Sequence, residues 1–209
     1  KDDGYLFRVV PSDAQQSVAL ADVVKSMGDS NPAVLFMTND YGAGLGENFK
    51  AAMGSLCTEI GYDPTEGSYD ASTLAQAVVD GGCDSVVLIS YATDGAAIME
   101  ELLSQGFSGS LYGADGLADA ALTQSFTDVA AVDGLVATKP RPGESSTAKS
   151  SFETAYAAAG GNPEGIYTNE TFDAVNLVAA AVMADSNNDL RDDLASLGSS
   201  YDGASVVHT

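Results

Sequence analysis

The run Ala33-Val34-Leu35-Phe36-Met37 decides the fold class. Five consecutive apolar residues offer no polar face to water, as in a parallel strand covered on both sides, so helices must lie above and below it. Ser85-Val86-Val87-Leu88-Ile89 reads the same way. Between and around these runs the period changes. Leu20, Val24 and Met27 share one helical face before Gly28 and Asn31-Pro32 break it, and Phe49, Met53, Leu56 and Ile60 predict a long helix after Gly46. Further helices are expected over Leu74–Val79 and Gly95–Gln105, with strands at Tyr5–Val10, near Thr65–Tyr69 and at Ser110–Gly113. Strand and helix alternate, which predicts an α/β fold with a doubly wound parallel sheet and right-handed crossovers.

After Gly116 the texture shifts to a short helix near Ala118–Phe126, a strand at Leu135–Thr138, a Pro-Gly loop at Pro140–Gly143, and helices over Thr147–Ala159 and Glu170–Ala184. One strand serves several helices here, leaving faces such as Phe172/Val175/Ala179/Val182 without a platform. Part of this region's covering structure is expected to be absent.

Composition narrows the function. Thirty acidic residues against 8 basic ones give a formal charge of −22 with no basic cluster, so nucleic acid is not an expected partner. The acidity fits either a salt-rich habitat or simply a solvated surface. The start Lys1-Asp2-Asp3-Gly4 lacks the basic and apolar segments of a secretory signal, so a leader is expected to have been removed, or the chain to be an internal piece. The longest mostly apolar run, Ala174–Ala184, is interrupted by Asn176 and falls short of the ~20 residues a membrane span needs. A single histidine, His208, and two widely spaced cysteines do not supply a metal cluster or a histidine-based triad, so neither metal nor catalytic residues are assigned.

Several motifs invite interpretation. Gly42-Ala43-Gly44-Leu45-Gly46 lies where a dinucleotide-binding turn would, but Glu47 replaces the third glycine and Asp40 would repel phosphate. It is read instead as a flexible connection that lets Tyr41 project from the carboxyl edge of the sheet. That edge, where open α/β sheets bind ligands, also holds Tyr91 after one strand and Asp115 after another. Taken singly these are ordinary edge aromatics and a turn residue; together, two rigid rings and a lone carboxylate suit binding of an ammonium group better than catalysis. Cys57 and Cys83 are either a disulfide or two buried thiols. Asn169-Glu170-Thr171 matches a glycosylation pattern too short to assign a function, and Ser12 or Asp13 suits a helix cap.

Read in order, Phe7-Arg8-Val9-Val10-Pro11-Ser12-Asp13-Ala14-Gln15-Gln16, Asn39-Asp40-Tyr41-Gly42 and Tyr112-Gly113-Ala114-Asp115-Gly116 resemble the branched-chain (Leu/Ile/Val-type) amino-acid-binding proteins of ABC transporters. The likeness continues through Gly134–Thr138, the Phe152–Tyr156 helix and Tyr167–Ala174. It implies a type I periplasmic-binding fold of two α/β lobes joined by three crossings. On that pattern residues 1–116 are the complete second, ligand-binding lobe and residues 117–209 a partial, mostly helical portion of the first, whose opening part is absent. The Tyr201–Ser205 stretch resembles the approach to the third crossing, from which Val206–Thr209 departs. The resemblance also implies that Tyr41 and Tyr91 pack around the ligand and Asp115 receives its ammonium group, with Asp13 a further candidate. It implies no cofactor and no enzyme activity. The expected partners are a small-molecule ligand, an amino acid or analogue, and an ABC-transporter permease, at a periplasmic or cell-surface location. Two other readings stand beside this: a nucleotide-binding Rossmann-like oxidoreductase, resting on the Gly42–Gly46 run, and the ligand-sensing core of a receptor or repressor with the same fold.

Overall fold

The structure, a computed structural model, describes residues 4–141, 143, 146–184 and 189–205. Their contacts form two compact units, residues 12–139 and residues 1–11 with 140–209.

In the first unit, Ser12 opens α1 (Asp13–Ser26) by accepting from the Gln15 amide while the Gln15 side chain accepts from the Ser12 amide, a reciprocal cap that satisfies two otherwise unpaired donors. Then follow β1 (Pro32–Met37), α2 (Asp40–Met53), β2 (Thr58–Tyr62), α3 (Ala71–Gly81), β3 (Ser85–Ile89), α4 (Ala92–Ser104), β4 (Ser110–Gly113), α5 (Ala121–Ser125) and β5 (Val136–Ala137). All strand pairs are parallel and the sheet order is β2-β1-β3-β4-β5.

Alternation along β1 and β3 divides the core. Val34, Val87 and Ile89 face Leu20 and Val24 of α1 and Leu45 and Phe49 of α2, while Leu35, Met37, Val86 and Leu88 face Leu74 and Val78 of α3 and Ile98, Met99 and Leu102 of α4. All five residues of β3 are buried, as the apolar run requires.

Three expectations are corrected. Tyr5–Val10 is not a strand. The helix predicted through Ile60 ends at Met53, because Gly54 takes φ +89°, a conformation that stops the helix and suits only glycine. Leu56 and Ile60 keep the spacing but belong to the following connection and to β2, which is therefore the strand expected later, near Thr65–Tyr69. By their contacts, residues after 116 continue the first compact unit. Val136 and Ala137 pair with Tyr112 and Gly113, and Leu117, Leu122, Phe126 and Ala131 enter the core beneath the sheet, so the unit extends to Lys139.

The second unit contains α6 (Thr147–Ala158), α7 (Thr168–Ala184) and α8 (Leu190–Gly198), and among its described residues no strand. Phe152 stacks on Phe172 with centroids 4.2 Å apart, and Tyr5 donates to Asp189 at 3.0 Å beneath the Arg191 guanidinium. Helix α7 turns polar groups inward: the buried Asp173 carboxylate accepts from the Ala204 amide at 2.7 Å and from the amide and hydroxyl of Ser205. Of the face expected to lack a platform, Val175 and Val182 are exposed by 63% and 62%, while Phe172 stacks on Phe152; Met183 beside them is exposed by 82%. Val206–Thr209, His208 and Lys1–Asp3 lie outside the described residues. Among the described residues no helix is long and apolar enough to cross a membrane.

Cys57, just before β2, and Cys83, just before β3, form a disulfide with Cα atoms 5.5 Å apart. Cys57 sits in the connection after α2 and not on a helix face. The bond closes a loop of 26 residues' separation, and the loss of chain entropy in the unfolded state is worth about 3 kcal/mol in the chain-entropy model. The Cys57→Ser/Cys83→Ser pair is therefore expected to lower the free energy of unfolding by about 3 kcal/mol. Urea titration followed by circular dichroism measures it, and an unchanged midpoint would show the cross-link to be thermodynamically idle.

Candidate functional site

From β1 the chain runs out to the edge strand β2, then returns past β1 to β3. At this reversal α2 leaves β1 toward one face of the sheet and α4 leaves β3 toward the other. Their divergence marks the switch point at the carboxyl ends of the two strands, the general ligand position in open α/β sheets.

Both helix starts place a tyrosine there. Asn39 caps α2 by accepting from the Gly42 amide at 2.9 Å, which puts Tyr41 in the first turn. Tyr91 is itself the cap residue of α4, its amide donating to Asp94 at 3.1 Å. The two rings stack with centroids 5.4 Å apart and planes 9° from parallel, and Tyr91 remains 49% exposed. Asp115, which follows β4 at the start of a short 3-10 turn, completes the group. Its Oδ1 accepts from the Tyr41 hydroxyl at 2.9 Å and from Gln16 Nε2 at 3.0 Å, and the Tyr41 oxygen in turn accepts from the Gly116 amide at 3.1 Å. Tyr41, Tyr91 and Asp115 are thus brought into one cluster. Asp13 stands at the exposed start of α1, where a methyl group added to Gly44 would lie 3.9 Å from its carboxylate.

Beneath Tyr91 lies a buried polar set that the sequence reading did not single out. Tyr62, at the end of β2, donates to Asp94, and its hydroxyl lies 2.7 Å from the Ser90 hydroxyl. Burial raises the Asp94 carboxyl above its ordinary 3.8, against hydrogen bonds from Tyr62 and the local amides that pull it down. Burial and the neighbouring Asp94 carboxylate hold the Tyr62 phenol well above its ordinary value.

A family model described as periplasmic binding protein matches residues 1–206. The chain belongs to this family. A Leu/Ile/Val-binding protein homologue of Brucella melitensis is 34% identical over 118 residues, which cover 54% of this chain and 32% of that protein. A leucine-binding protein from Thermotoga maritima superposes with a TM-score of 0.80 at 24% identity, covering 98% of this chain and 60% of its own. The branched-chain amino-acid transporter substrate-binding protein of Streptococcus pneumoniae, solved with isoleucine, gives a TM-score of 0.79 at 20% identity over 98% of this chain and 59% of its own. At these identities the superpositions carry the fold, which is the type I periplasmic-binding fold. The chain spans about a third of the curated relative and about three-fifths of the structural ones.

In this periplasmic binding protein the Gly42–Gly46 run is helical, inside α2, and neither the flexible connection expected from the sequence nor the phosphate-cradling turn on which the oxidoreductase reading rests. A Cβ at Gly42 would fall 2.1 Å from the Met37 carbonyl oxygen, and one at Gly46 would fall 3.1 Å from the Phe36 ring. These glycines let the helix approach β1 closely. Gln16 was missed as a site residue because its partners, Asp115 and Thr138, lie 99 and 122 residues away. Its only signal in the sequence is its place in the Ser12–Gln16 stretch of the resemblance. Tyr62 and Asp94 gave no signal, since neither stands directly after a strand the sequence predicted correctly.

Because Asp94 has a folded value above its unfolded one, its contribution to stability is fully present below pH 3.8 and is lost as pH rises through the raised value. Asp94→Asn, neutral throughout, should remove this component. The stability difference between variant and wild type is then expected to move in the variant's favour as pH rises from below 4 toward neutrality. Thermal unfolding across that range checks the sign, and a difference that is flat with pH would mean that Asp94 titrates normally.

Proposed function

We propose that this chain carries the ligand-facing lobe of an extracytoplasmic solute-binding protein, one that captures an amino acid or a related small molecule for an ABC transporter and performs no catalysis. The observation that carries the reading is the Asp115 carboxylate held by Tyr41 and Gln16 beside two stacked rings at the sheet's switch point. A carboxylate fixed by neutral donors is a ready acceptor for an ammonium group, and flanking aromatic faces supply apolar area with little entropy to lose. Asp13, at the start of α1, is a secondary candidate for the polar rim. The names and ligands of the relatives support a branched-chain amino acid as the ligand class. The disulfide supports an oxidising, extracytoplasmic compartment. A permease is the partner that such a role requires. Residues 12–139 form the binding lobe on this reading, and residues 140–209 contribute to the other lobe.

The test is calorimetry on the full-length gene product with L-leucine, L-isoleucine and L-valine. Binding of at least one is expected, and Asp115→Ala should weaken it by about 2–5 kcal/mol, because a bound ammonium would lose its charged acceptor. An unchanged dissociation constant in a folded variant would reduce Asp115 to a turn residue and remove the basis of the proposal.

A further inference from the structure

Gln16 Nε2 lies 3.0 Å from Asp115 Oδ1, 3.2 Å from the Thr138 carbonyl oxygen and 3.5 Å from the Thr138 hydroxyl. A carboxylate and a carbonyl accept only, so it is the amide nitrogen of Gln16 that faces them, and its two N–H groups divide between Asp115 and Thr138. The Thr138 amide donates in turn to the Gly113 carbonyl at 2.9 Å, two residues before Asp115. A closed circuit therefore runs from Asp115 through Gln16 and Thr138 to the end of β4. Gln16 is itself set firmly, since the next residue, Ser17, is buried and donates to the Leu45 carbonyl at 3.1 Å, and Leu20, Ala21 and Val24 bury the same face of α1 against α2. The Tyr41 hydroxyl and Gln16 both fall on Oδ1. Two donors on one oxygen take up its lone-pair directions and fix the rotation of the carboxylate.

We propose that Gln16 is the positioning residue for the Asp115 carboxylate, holding it in the orientation that receives a ligand's ammonium group and tying it to residues near both ends of the 12–139 unit. The inference rests on the reading of Asp115 given above. It assigns Gln16 no contact with the ligand. Its whole effect on binding passes through Asp115.

A double-mutant cycle on the full-length gene product, read by calorimetry with L-leucine, tests this. Gln16→Met keeps the length and apolar stem of the side chain but has no donor, and Gln16→Ala removes the side chain. Each is expected to weaken binding about tenfold, the ordinary size of one hydrogen bond to a charged group. In an Asp115→Ala background neither should weaken it further. Wild-type affinity in folded Gln16→Met, alongside weakened Asp115→Ala, would overturn this inference and leave the ammonium role of Asp115 standing. Losses that add in the double variant would also overturn it, because Gln16 would then act on the fold at large. Unchanged affinity in Asp115→Ala would overturn both readings together. A ligand-free check is the Gln16 side-chain amide signal in ¹H–¹⁵N spectra. It should move toward the position of an exposed amide in Asp115→Ala, and an unmoved signal would show that Gln16 does not hold Asp115 at all.

Discussion

Because β1 and β3 are buried on both faces, each must be covered above and below, and the chain meets this demand by sending α2 to one side of the sheet and α4 to the other. Every other feature of the candidate site depends on that divergence. Had both helices left toward the same face, their first turns would have packed side by side and closed the carboxyl edge. Instead the edge is open between β1 and β3, and Asp115, arriving from β4, has room to turn toward it. The order of the strands is thus a consequence of burial as well as a description of the sheet.

The polar groups at this edge perform two tasks with one set of atoms. Asn39 and Asp94 satisfy the free amides at the starts of α2 and α4, as helix termini require, and in doing so they set the orientation of Tyr41 and Tyr91. The Tyr41 hydroxyl donates to Asp115 and accepts from Gly116, so the ring is fixed at its far end as well. Preorganisation of this kind reduces the ordering that a ligand would otherwise have to impose. With a formal charge of −22, the chain as a whole attracts cations and repels polyanions.

Residues beyond Lys139 follow a different rule. With no strand among the described residues of that unit, α7 has no sheet to cover, and its buried positions are Asn169, Glu170 and Asp173 alongside Leu177 and Ala181. The Ala204 and Ser205 amides supply partners for Asp173, whereas the buried Asn169 Oδ1 has no hydrogen-bond partner among the described residues. The apolar stripe of Val175, Val182 and Met183 lies outward.

The sequence by itself determined the elements whose side chains are uniform or strictly periodic. The runs 33–37 and 85–89 became β1 and β3, a cap at Ser12 or Asp13 was expected to open α1, and the positions just after the strands held Tyr41, Tyr91 and Asp115, because these follow from rules that act over a few residues. The resemblance carried in the Ser12–Gln16, Asn39–Gly42 and Tyr112–Gly116 stretches pointed to the family. Where two local rules competed, the sequence was ambiguous. Phe49, Met53, Leu56 and Ile60 keep helical spacing across a helix end set by the backbone of Gly54, and the glycines of α2 resemble a turn until β1 is seen against them. Only the tertiary structure decided what depends on distant partners: the pairing of the strand expected at Leu135–Thr138 with β4, the extension of the first unit to Lys139, and the contact of Gln16 with Asp115 and Thr138. A hydrogen bond spanning about a hundred residues leaves no periodicity in the chain, since its geometry is created by the folding of everything between.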